Sequence, residues 1–89
     1  MENILLMLKT DLGISTDAYD DRLKLYIEAA KKEIRREGIT LRRDDMGDIS
    51  ILIMYAAWLW RRRDSMEGMP RMLRYALNNR VFSQKIQGA

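Results

Sequence analysis

The sequence predicts an all-α protein, a small bundle of four to five helices packed around one central, strongly apolar helix. Three observations carry this. Apolar residues recur three or four positions apart through most of the 89 residues, the spacing of one helix face, and nowhere do they alternate as a half-buried strand requires. Glycines at 13, 38 and 68 fall where helical patterns stop, as left-handed caps do. The block from Ile51 to Trp60 is apolar without a break, so it covers every direction of a helix and must be buried nearly all round.

In chain order, Ile4, Leu5, Leu8 and Leu12 mark a short first helix that Gly13 ends. Ser15, Thr16 and Asp17 then offer side-chain caps to a second helix, and Asp20 and Asp21 suit its positive end. Its inward stripe is Leu23, Ile27, Ala30 and Ile34; Lys31, Lys32, Arg35 and Arg36 suit its negative end, and Gly38 closes it. Residues 39–47 form an Arg- and Asp-rich connection in which Asp44, Asp45 and Asp48 are each candidate caps for a third helix near 46–63. A loop over 64–69 leads to Pro70, suited to the first turn of a fourth helix. There Met69, Met72, Leu73, Ala76, Leu77 and Arg80 form an inward stripe, and Arg71, Arg74 and Asn78 a second one. The domain is expected to span 1–82. Residues 83–89 are small and polar and read as a flexible carboxy-terminal tail, disordered or ordered by a partner.

Composition narrows function by exclusion. The chain has no Cys and no His, which removes disulfides, thiolate nucleophiles and the commonest neutral-pH acid/base and metal ligands. No phosphate loop, metal loop or catalytic arrangement appears, so the reading is not an enzyme, with no cofactor, no metal and no catalytic residue. The amino terminus lacks the pattern of a secretory signal, and the ten-residue apolar block is shorter than the roughly 20 residues a bilayer demands, so an intracellular protein with no membrane partner is expected. Charge is uneven: residues 61–89 carry seven Lys/Arg against two acids, and residues 1–60 nine against eleven. Arg61, Arg62, Arg63, Arg71 and Arg74 are therefore candidates for contact with DNA or an acidic partner.

A chain this short buries only about 60–65% of the surface its unfolded form exposes, and three neighbouring helices cover only part of an all-apolar one. Copies of the chain or a partner are expected to cover the remainder. Trp58 and Trp60 lie about 200° apart on a helix, so at least one should point away from the main core. Tyr55, Trp58, Trp60, Met69 and Met72 are the candidate interface residues.

The layout resembles that of the small head–tail connector (adaptor or completion) proteins of long-tailed double-stranded DNA bacteriophages and prophages. The resemblance is carried by Leu25–Ala30, by Tyr55–Arg61 and above all by Met69–Arg80. It implies a structural virion protein that assembles in the host cytoplasm as a homo-oligomeric ring of about twelve subunits. Such a ring would join the portal protein to the next neck or tail-completion protein and extend the DNA channel, touching packaged DNA without sequence preference. The resemblance also implies portal attachment through the carboxy-terminal segment, here Val81, Phe82 and Ile86. The alternative reading is a small helical nucleic-acid-binding protein, a phage regulator, using the basic last third.

Overall fold

The computed structural model describes residues 2–88, and their side chains from Ile4 to Ile86. Four helices account for most of it: α1 (Glu2–Leu12), α2 (Asp20–Arg36), α3 (Met46–Arg62) and α4 (Arg71–Gly88). Among the described residues there is no strand. The all-α expectation and the four-helix order hold.

α3 is the hub. It packs against α1, α2 and α4, whereas α4 has its main contacts with α3 alone and stands at one side of the bundle. The inward face of α2 is the expected one, with Leu23, Ile27, Ala30 and Ile34 all buried. Gly13 and Gly38 adopt φ of 73° and 94°, the left-handed conformation an L side chain avoids. Ile14 and Ile39 then send their amides back to the carbonyls of Lys9 and Ile34, closing both helix ends. Gly68 has no such role: its φ is not left-handed, and α3 has already ended at Arg62.

The caps differ in detail from the sequence reading. Asp45 caps α3, accepting the Asp48 amide at 3.1 Å, and this bond above all holds its carboxyl below the usual carboxylate range. Asp48 is no cap. It is 1% exposed, accepts the Arg42 amide at 2.9 Å and pairs with Arg80 Nε at 2.6 Å. At the start of α2, Tyr19 occupies the cap position and no side chain caps the helix. Asp17 and Asp20 instead hold Lys9 of α1 at 3.0 and 2.9 Å. Asp20 first and Asp17 second push the Lys9 ammonium above its ordinary value. A charged residue on an otherwise apolar helix face thereby becomes a tie between α1 and α2.

Two expectations about burial are corrected. From Ile51 to Trp60 every residue except half-buried Met54 is buried within the single subunit. Counting helices alone missed the cover provided by the chain leaving α3 and by the α1–α2 turn. Trp58 packs edge-on to Tyr55, lies under the Arg62 guanidinium at 4.7 Å and sends its indole N–H toward the Glu67 carbonyl at 3.4 Å. Trp60 meets the ring edges of Tyr19 and Tyr26 and lies under Arg63 at 3.6 Å. The two indoles do occupy different environments, but both are internal. The second correction concerns the end of the chain. No tail begins at 83: α4 continues to Gly88, and the Gln84 side chain both donates to the Thr40 carbonyl and accepts the Thr40 amide, at 2.8 Å each. Ala89 lies outside the described residues.

Candidate contact surfaces

α4 presents two opposite faces. Leu73 and Leu77 are buried against the core, with Met69, Ala76 and Val81 half-buried beside them. Three polar contacts fix this face: Arg74 to Glu37 at 2.9 Å, Arg80 to Asp48 and Asp45, and Gln84 to Thr40. They reach the end of α2, the connection that follows it and the first turn of α3. They hold a helix that has few apolar neighbours.

The opposite face carries Met72, Tyr75, Phe82 and Ile86, exposed by 77%, 59%, 67% and 62%. With Asn79 between them, these residues follow a 3-4-3-4 spacing, which places them within about 80° of arc on one helix face. The stripe runs along most of α4. Four large apolar side chains aligned in this way make a patch that a monomeric protein seldom leaves in water.

Of the candidate interface residues, then, Tyr55, Trp58 and Trp60 are buried inside the subunit, Met69 is half-buried and Met72 is exposed. Burial also raises the Tyr55 hydroxyl above its ordinary value. Assigning Met72 to the inward stripe was an error of one helix position. Among the candidate attachment residues, Val81 packs against the core while Phe82 and Ile86 face outward. Tyr75 was missed. The signal that finds it is the same 3-4-3-4 spacing, which continues from Met72 through Ile86.

The five candidate arginines do not converge. Arg62 and Arg63 cover the two indoles, and Arg63 also donates to the Trp60 carbonyl. Arg61 approaches Asp11 at 3.8 Å, and Arg74 is taken by Glu37. Arg71 is exposed and has no ion pair among the described residues. The basic run at the end of α3 is thus partly a lid over aromatic rings, a use in which the flat guanidinium suits the ring face. Among the described residues no group of His, Cys, Asp and Glu is placed to hold a metal, and no helix is long and apolar enough to cross a membrane.

A small helical subunit with a complete internal core and a long outward apolar stripe has the make-up of a structural assembly protein. The family comparison agrees: residues 3–79 match the model of the phage gp6-like head-tail connector proteins, and the chain belongs to that family. It is accordingly a structural connector component of a phage virion, made to interact with other virion components. No curated protein matches the chain, and no solved structure matches it.

Proposed function

We propose that the chain forms a homo-oligomeric ring that joins the portal protein to the next neck or tail-completion protein and extends the DNA channel, with the outer stripe of α4 as its principal contact surface. The observation that carries this is the stripe itself, Met72, Tyr75, Phe82 and Ile86 exposed on one face. Surface area supports it. The subunit exposes 6299 Å², whereas a compact monomer of 10.5 kDa exposes about 5,400 Å².

Within this reading Phe82 and Ile86 attach the subunit to the portal, and Met72 and Tyr75 extend the same contact toward a neighbouring copy. Val81 anchors α4 from the inside. Exposed Arg61 and Arg71 supply the non-specific contacts with packaged DNA. Light scattering and electron microscopy of the purified protein, alone and mixed with its portal, test the proposal. Rings or portal-bound subunits are expected; a protein that stays monomeric and leaves the portal bare removes it.

A further inference from the structure

A cleft of ≈ 850 Å³ lies between the start of α1, the last turns of α2 and the connection to α3. Its lining divides in two. Exposed Met7 and Met46, with half-buried Ile4 and Ile49, supply an apolar part, while Arg35, Arg42 and Arg43 supply cations. All three arginines are exposed, and none has an ion pair among the described residues. The single acid in the lining, Asp48, is buried and already engaged by Arg80 and the Arg42 amide. The cleft therefore presents positive charge beside apolar surface, with Asp45, outside the lining, near enough to Arg42 to feel its charge.

The connection that forms its wall is fixed from behind. Gln84 of α4 brackets the peptide groups of Thr40 with two hydrogen bonds, and Asp48 holds the Arg42 amide. A preorganised site of this kind spends little on ordering itself when a ligand arrives. Its volume falls within the about 300–1,000 Å³ of small binding sites, so it takes a short segment and not a domain face.

We infer that this cleft receives a short segment of another virion protein in which carboxylates flank one or two large apolar side chains. The inference rests on the connector reading for its partner and on charge complementarity for the partner's chemistry. Duplex DNA suits the site less well. Its phosphates would neutralise the arginines and leave the apolar wall in contact with water, whereas an acidic segment with a Leu or Phe satisfies both parts.

The test uses the full chain and a fluorescently labelled ten-residue peptide in which glutamates flank leucine and phenylalanine. Saturable binding is expected, weakened at least about tenfold by Arg42→Glu with Arg43→Glu and regained when lysines replace the glutamates of the peptide. Arg35→Glu, on the exposed face of α2, gives an independent variant should the double change disturb the connection. Absence of saturable binding to the wild type, or equal binding to wild type and charge-reversed protein, overturns the proposal. So does a duplex of DNA that binds here in an arginine-dependent way while the peptide does not. In the phage, the charge-reversed variant is expected to accumulate unjoined heads and tails. If deleting the gene blocks joining but that variant supports normal yield, the cleft loses its role and the connector reading stands. If deletion leaves joining intact, the connector reading itself fails.

Discussion

Replacing Arg80 with alanine is expected to be among the most damaging single changes outside the apolar core. Arg80 bridges Asp48, at 2.6 Å from Nε, and Asp45, at 3.3 Å from Nη2, and so staples the last third of the chain to the start of α3. Removing it leaves the Asp48 carboxylate 1% exposed with the Arg42 amide as its one remaining donor. Breaking one side of a buried pair costs about 3–5 kcal/mol. Because the Arg80 side chain retains 18% of its exposure and Asp45 35%, water can reach part of the site, so the low end, about 3 kcal/mol, is expected. A domain of this size has roughly 5–13 kcal/mol in total. With a urea slope near 1 kcal/mol/M the midpoint should fall by about 3 M, read by the helical circular dichroism signal. Pairing Arg80→Met with Asp48→Leu should recover part of the loss, since the buried charge leaves with its partner while the Arg42 amide loses its acceptor. A midpoint shift below about 0.5 M for Arg80→Ala, the behaviour of a surface ion pair, would refute the staple.

Trp58→Ala and Trp60→Ala should each cost about 3–5 kcal/mol of subunit stability, measured by denaturation of the isolated protein; a folded monomer of unchanged stability would move that indole to an interface. Asp45→Ala should lower the melting temperature at neutral pH. The folded-state carboxyl titrates below its unfolded value, so the stabilisation is present above about pH 4 and is lost as pH falls through the folded value. The gap between wild type and variant should therefore close in acid, and a gap that widens would contradict the assignment. Gln84→Ala should speed hydrogen exchange at Thr40 and lower the melting temperature modestly, because its two bonds to the Thr40 peptide groups are exposed. Unchanged exchange would show that the carboxy-terminal turns of α4 are not tied to the connection.

The helices were legible because their signals are local. The stripe of α2, the left-handed stops at Gly13 and Gly38 and the cap at Asp45 each rest on residues within one or two turns of each other. Long-range pairings were not legible. Nothing in the spacing says that Lys9 will meet Asp17 and Asp20, or that Asp48 will leave the cap position for Arg80, 32 residues away. The fate of the apolar block was misjudged for a related reason: its last cover comes from Tyr19 and from Arg62 and Arg63, residues whose sequence character is polar or mixed. Gln84 shows the limit of composition. A polar residue in a polar tail gives no hint that its amide matches a peptide group 44 residues away. The α4 stripe could have been read, had Met72 been aligned with Tyr75, Phe82 and Ile86 and not with Leu73.

The central claim is that the outer face of α4 serves assembly and not folding. The most direct measurement is a comparison of Phe82→Asp with Ile86→Asp, made together, against wild type in two readouts: thermal denaturation of the purified subunit, and the fraction of heads joined to tails in phage carrying the variant. Both side chains are more than half exposed, so the melting temperature should be nearly unchanged while unjoined heads and tails accumulate. Normal joining by a folded variant would contradict the claim, and a collapsed melting temperature would place the stripe in the core.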